Sequence, residues 1–166
     1  MKYCFTLLFI IGTFISFGQY KTKYDYFVDS LEKSGQNEKV IPFFQKELKL
    51  NPKNEDILRW LGYLSIQNNK LEQGKKYYED ALNVNPKCGK CYVNIGRVYS
   101  LKNDNKKALT FYDKSIEIDP KDAQLYDNRA NMRAYLGDKK GAFADFEKAI
   151  SLDSGNIEIY SFHFCF

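Results

Sequence analysis

Cys88-Gly89-Lys90-Cys91 is the stretch of this chain whose residue types carry intrinsic reactivity. Two cysteines at that spacing can close a disulfide or run thiol–disulfide exchange, and a helix N-terminus beside them lowers a thiol pKa. Redox enzymes of the thioredoxin kind place such a pair after a strand in a βαβ unit. Here the pair sits between two segments of helical periodicity, so a local structural disulfide or an inert pair is expected, and a redox role is the alternative function. Cys88, Cys91, His163 and Cys165 are zinc-ligand types, but the two pairs lie too far apart in the chain to expect a metal site. His163 is the sole histidine. A Ser/His/Asp or Cys/His nucleophile system therefore has one candidate base, and it falls in the terminal segment. No glycine-rich phosphate loop is present. No catalytic residue, cofactor or metal is expected, and the chain reads as a non-enzyme.

Composition narrows the class further. The chain of 166 residues is 44% hydrophobic and 28% charged, the balance of a folded globular protein rather than a disordered one. Lys and Arg number 25 against 21 acidic residues, for a net charge of +4, with no basic block that would mark a nucleic-acid face. The first residues differ in kind. Lys2 precedes an apolar run over Phe5–Ile15, diluted by Thr6, Gly12 and Thr13, and Ser16-Phe17-Gly18 puts small residues before Gln19. That order is a secretory signal peptide over residues 1–18. The run is shorter than the ~20 apolar residues of a spanning helix, so cleavage is expected and no membrane span remains after it. Cys4 lies before the apolar run instead of after it, which speaks against a lipid anchor. The mature protein, residues 19–166, is expected to be exported, periplasmic or secreted.

Behind the signal segment the sequence repeats. Pro52, Pro86 and Pro120 stand 34 residues apart, preceded in step by Asn51, Asn85 and Asp119. Tyr92, Ile95 and Tyr99 fall on one face at helical period, Gly96 lies among them, and Ala108, Tyr112 and Ser115 follow on a second stripe. Gly96 lacks a side chain and Ala108 offers a small one, so two helices can approach closely there. Each unit carries a breaker near its middle: Gly35-Gln36-Asn37, Asn68-Asn69, Asn103-Asp104-Asn105 and Gly137-Asp138. The proline that closes a unit cannot continue its second helix. Neither helix buries its stripe alone, so successive pairs must stack.

This order of large, small and proline positions resembles the tetratricopeptide repeat. The resemblance covers residues 21–54, 55–88, 89–122 and 123–156, with 157–166 as the start of a fifth unit. It implies an all-α, right-handed superhelical solenoid of helix-turn-helix repeats. It also implies a protein–protein interaction scaffold whose concave groove, lined by the first helices, holds a partner or peptide segment. The family's inward-facing positions carried onto this chain are Arg59, Trp60 and Tyr63, then Lys90, Asn94 and Arg97, then Asn128 and Asn131. In the chaperone-binding subfamily a clamp of Lys, Asn and Arg residues grips a C-terminal carboxylate. Arg59 and Asn94 match that clamp, whereas Tyr63, Gln124 and Asn128 depart from it. A polar or mildly acidic extended segment is the expected ligand class. Repeat proteins that read RNA base by base are similar in architecture, but the charge balance argues against a phosphate-binding face.

The units are unequal. In the first, Val28 and Val40 stand where small residues are usual, and Pro42 lies early in the second helix, where it is expected to shorten or delay that helix. In the second, Glu55–Arg59 and Glu72–Lys76 have the spacing of surface ion pairs. In the fourth, Arg129 and Arg133 replace apolar residues and Ser154 replaces the proline; the arginine stems are expected to cover apolar surface while their heads reach water. The last five residues include three phenylalanines. A truncated or frame-shifted chain, a fragment of a larger exported repeat protein, is favoured there over self-association that buries those rings through 157–166. An open frame continuing the fifth unit in the gene would decide between them. Export has its own test: the intact mass of the protein purified from its native host should lack residues 1–18, and a chain bearing Met1 in the membrane fraction would overturn the signal-peptide reading.

Overall fold

The computed structural model describes residues 24, 26–28 and 39–153, and every element among them is helical or a turn. The signal segment, the turn at Gly35-Gln36-Asn37 and the tail with His163 and Cys165 lie outside the described residues. The chain divides into two compact units, Met1–Asn37 and Glu38–Phe166. In the first unit, Tyr24 and residues 26–28 are helical, with Tyr24 and Val28 buried. The second unit holds α1 (Val40–Leu50), α2 (Glu55–Gln67), α3 (Leu71–Val84), α4 (Gly89–Leu101), α5 (Asn105–Ile118), α6 (Ala123–Tyr135) and α7 (Lys139–Leu152). Helices α2 and α3, α4 and α5, and α6 and α7 pack as pairs. Consecutive pairs join through α3 with α4 and α5 with α6, and the first helices α2 and α4 also touch. This is an all-α helical-repeat solenoid.

The turn inside each pair is built the same way three times. Asn69 (φ 58°), Asn103 (φ 61°) and Gly137 (φ 84°) adopt the left-handed conformation that Asn and Gly tolerate best. Each leaves the following amide free to reach back five residues: Lys70 N–H donates to the Ser65 carbonyl at 2.8 Å, Asp104 to Tyr99 at 2.9 Å and Asp138 to Arg133 at 2.9 Å. The preceding helix is thereby closed, and the next begins at once. Asp104 and Asp138 then cap α5 and α7 by accepting from Lys107 N–H and Gly141 N–H. One residue pair ends one helix and starts the next.

The turn between pairs uses the residue before the proline. Asn51, Asn85 and Asp119 donate their N–H groups to the last turns of α1, α3 and α5, at Glu47, Ala81 and Ser115. The side chains of Asn85 and Asp119 then accept from Lys87 N–H and Lys121 N–H, spanning the proline with a side-chain turn. Asn54 and Asp122 cap the helices that follow. α1 has 11 residues where α3, α5 and α7 have 14, and it begins three residues later in the 34-residue frame, the short and late helix expected there; Pro42 stands in its first turn. In the first turn a missing N–H leaves no bond unmade.

The pairs close on a tyrosine laid against a glycine. A Cβ added at Gly62 would stand 2.8 Å from the Tyr78 ring, and one at Gly96 would stand 2.8 Å from the Tyr112 ring and 3.2 Å from the Ala108 carbonyl. Tyr78 and Tyr112 are 2% and 6% exposed, so neither ring can swing away. Around Tyr78 the side chains of Leu58, Ile66, Ala81, Ile95 and Val98 form a core that runs from α2 through α3 into α4, while Tyr112 packs with Ala108 and Met132. Gly96→Val should cost ~1–3 kcal/mol of stability by overpacking this contact, and Arg97→Val on the exposed side of the same helix should change it by under about 0.5 kcal/mol. Urea unfolding followed by circular dichroism compares the two; equal midpoints would mean the glycine does not set the helix separation.

Candidate functional site

The residues expected to face a partner lie on α2, α4 and α6. Arg59 on α2 is half-buried and ion-paired with Asp56 one turn back at 3.1 Å, not with Glu55 as its spacing predicts. Glu55 instead accepts from the Asn85 amide at 2.9 Å. Glu72 and Lys76 also choose other partners, Lys102 and Asp80. Trp60 lies parallel to Phe44 of α1, ring centres 5.9 Å apart, so one face of the indole packs between neighbouring helices. Tyr63, exposed to 39%, meets the Trp60 ring edge-on at 5.8 Å. On α4, Lys90 and Arg97 are exposed, and the Asn94 amide donates to the Lys90 carbonyl at 2.8 Å. On α6, Asn128 is half-buried, and the exposed Asn131 donates to both the carbonyl and the carboxylate of Asp127.

Electrostatics ties two of these helices together. Burial pushes the Tyr78 hydroxyl well above the usual phenol range, and the positive charges of Arg59 and Arg97 act on it in the opposite direction. Arg59 from α2 and Arg97 from α4 thus both lie within electrostatic reach of one buried tyrosine on α3. Tyr63 lies within the same electrostatic neighbourhood. Arg97 acts in the same sense on Tyr112, whose hydroxyl burial also raises.

The last pair is built differently from the others. Arg129 and Arg133 do not send their heads to water, as the sequence reading expects. They turn inward onto Asp145 of α7, a carboxylate only 4% exposed. Arg129 donates to both Asp145 oxygens, at 2.8 and 2.6 Å, and to Asp113 of α5 at 2.8 Å. Arg133 donates to Asp145 at 2.8 Å and lies 3.9 Å from Asp138. Hydrogen bonding to Asp145 raises the already high Arg129 pKa further, against burial. Asp145 is a residue that sequence reasoning missed. The signal was available in two arginines at apolar positions, which in a packed seam call for a buried carboxylate.

Cys88 and Cys91 are joined by a disulfide, with Cα atoms 5.3 Å apart. Cys88 caps α4, its sulfur accepting from the Cys91 N–H at 3.2 Å. Cys91 is fully buried and Cys88 is 6% exposed, and both belong to the core of α2, α3 and α4. Sulfurs so covered are not presented to a protein disulfide substrate, which weighs against the redox alternative. Among the described residues no helix is long and apolar enough to cross a membrane.

Stacked helix pairs with left-handed closing turns define an all-α helical-repeat protein. A family profile described as tetratricopeptide repeat matches residues 89–122, and a second profile of the same description matches 57–88 and 123–156. Together they span more than half of the chain, and the chain belongs to the tetratricopeptide repeat family. Among solved structures it is similar to the crystal structure of MamA, with a TM-score of 0.68 at 19% identity over 86% of this chain and 81% of that one. A further MamA crystal structure gives 0.67 at 20% identity, over 82% and 75% of the two chains. The tetratricopeptide domain of Arabidopsis OM64 gives 0.59 at 22% identity, over 64% and 88%. A comparison with curated proteins finds no match.

The ion cluster of α6 and α7 makes the prediction here. Asp145→Ala leaves two guanidinium groups in a covered seam without their shared partner, which should cost ~3 kcal/mol or more. Glu79→Ala, which breaks an exposed pair with Lys75 on α3, should cost under ~1 kcal/mol. Denaturant unfolding of the two variants measures the contrast, and equal losses would show that Asp145 is not the counter-charge that holds the last pair.

Proposed function

We propose that this protein is a non-catalytic scaffold that holds an extended, polar or mildly acidic segment of a partner protein against the first-helix face of α2, α4 and α6. We further propose that it works outside the cytoplasm, on the strength of the order of Lys2, the apolar run and Ser16-Phe17-Gly18. One observation carries the binding reading: Arg59 and Arg97, from successive first helices, both act on the hydroxyl of Tyr78, with Tyr63 beside them. Two guanidinium groups on successive first helices suit carboxylates and backbone carbonyls spaced along an extended chain. Tyr63, edge-on to Trp60, offers a rigid aromatic surface that loses little conformational freedom on binding. Lys90, Asn94, Asn128 and Asn131 continue the face with polar groups that two of the asparagines already orient through bonds to their own helices.

The chemistry is that of recognition rather than turnover. Arg59 is held by Asp56 in the free protein, so an incoming carboxylate has to compete with an existing ion pair. That favours a ligand with several weak contacts over one tightly gripped terminus. It also agrees with the departures from the carboxylate clamp at Tyr63, Gln124 and Asn128.

Arg and Tyr truncations at the centre of an interface typically cost ~2 kcal/mol, or roughly thirtyfold in Kd. Arg59→Ala combined with Arg97→Ala should therefore weaken binding of the partner captured from the native host by at least that factor, at unchanged helicity. Lys76→Ala with Lys106→Ala, on the exposed sides of second helices α3 and α5, should leave it unchanged. Loss of the partner with the second pair and its retention with the first would overturn the assignment of the face.

A further inference from the structure

The disulfide hides a ligand set that the sequence does not announce. Glu55, the first residue of α2, lies 33 positions before Cys88, yet a carboxylate oxygen of Glu55 and the sulfurs of Cys88 and Cys91 all lie within 4.8 Å of one another. Three donors of metal-binding type from two helices thus converge at the start of α4. We propose that, with its cysteines reduced, this protein binds one zinc ion through Cys88, Cys91 and Glu55. Disulfide formation and metal capture are then alternative fates of the same two sulfurs.

The surroundings fit that role independently of the donors. The Cys91 N–H already points at the Cys88 sulfur at 3.2 Å, the kind of bond that stabilises a thiolate. Both cysteines stand at the N-terminal end of a 13-residue helix, where the helix dipole favours negative charge. The Asn85 amide donates to Glu55 at 2.9 Å and orients the carboxylate, as an outer partner does for a ligand. Asn85 also ends α3, so the site is anchored to three helices of one core. Two thiolates and one carboxylate are a borderline-soft set that suits zinc better than magnesium or calcium. Three protein ligands leave a fourth tetrahedral position for water.

The chemistry balances without further groups. A newly made chain carries both residues as thiols, and zinc takes the two sulfurs as each releases its proton to water. Starting from the disulfide, a dithiol reductant supplies two electrons and two protons and becomes a disulfide itself, which returns the two thiols. In the reverse direction a small-molecule disulfide takes the two electrons and leaves as two thiols with protons from water; the bonded sulfurs cannot serve as thiolate ligands, so the ion is released. This inference is separate from partner binding, since Arg59 and Arg97 take no part in it.

The test uses the full chain with Cys4→Ser and Cys165→Ser, which leaves Cys88 and Cys91 as its cysteines. The reduced and oxidised forms are titrated anaerobically with zinc against a chromophoric chelator, and cobalt serves as a spectroscopic stand-in. The reduced form should take up one zinc per chain and show sulfur-to-cobalt charge-transfer bands with a tetrahedral spectrum; the oxidised form should take up none. Glu55→Gln should raise the Kd at least about tenfold, and Cys88→Ser with Cys91→Ser should abolish uptake. No uptake by the reduced parent would overturn the proposal, as would an octahedral cobalt spectrum or equal affinity in Glu55→Gln. If Glu55→Gln loses helicity, the parent's cobalt spectrum decides alone: two sulfurs with oxygen in a tetrahedral field supports the site, and an all-oxygen field refutes it.

Discussion

The fold depends on how closely two helices of a pair can approach, and that distance is set where a tyrosine ring lies on bare backbone. Tyr78 over Gly62 and Tyr112 over Gly96 each fill the space that a side chain would occupy. The ring then contributes nearly its whole apolar surface to the seam. Because the helices sit this close, the small Ala81, Ala108 and Ser115 can be buried opposite without leaving voids. Burial also explains the raised pKa of both hydroxyls: the phenolate would have to form in a place that water does not reach. The same contact connects core and function, since the Tyr78 hydroxyl lies where Arg59 and Arg97 act on it.

The last pair solves the same packing problem with charge. Ala130 stands where the glycine was and Phe146 where the tyrosine was; Arg129 takes the place of Leu61 and Ile95, and Arg133 that of Ser65 and Tyr99. Removing two guanidinium groups from water is costly unless each finds acceptors of good geometry. Asp145 supplies them from α7, and Asp113 extends the network to α5 of the preceding pair. An ion network of this kind is more directional than an apolar seam. Through Arg129 it adds a directional link between the last pair and its neighbour, beside the apolar packing of Ile116 with Ala123, Leu125 and Tyr126.

Cys88 and Cys91 belong to both the turn and the core. Cys88 sits at a capping position usually filled by Ser, Thr, Asp or Asn, and does the same work with sulfur. A disulfide across so short a loop constrains the unfolded chain little. Its placement therefore matters more through what it packs against, Ile95, Val98 and Ala81, than through chain entropy. Glu55 arrives at the same place because α2 and α4 begin at equivalent points of successive repeats, which the solenoid stacks side by side.

The local order of this protein was legible from residue types alone, because it rests on interactions between near neighbours. The left-handed turns at Asn69, Asn103 and Gly137, the stops before Pro86 and Pro120 and the close approach at Gly96 follow from backbone sterics and from a period of 34 residues. Tertiary structure decided the pairings. Arg59 took Asp56 rather than Glu55, and Glu72 took Lys102, because side chains of similar reach have several partners within range and only the stacked geometry ranks them. Pro42 came to stand in the first turn of a short, late-starting α1, where its missing N–H is not needed. Asp145 beneath two arginines, and Glu55 beside two cysteines, join residues on different helices. Such neighbours are set by how helices stack, and a linear pattern carries no term for that distance.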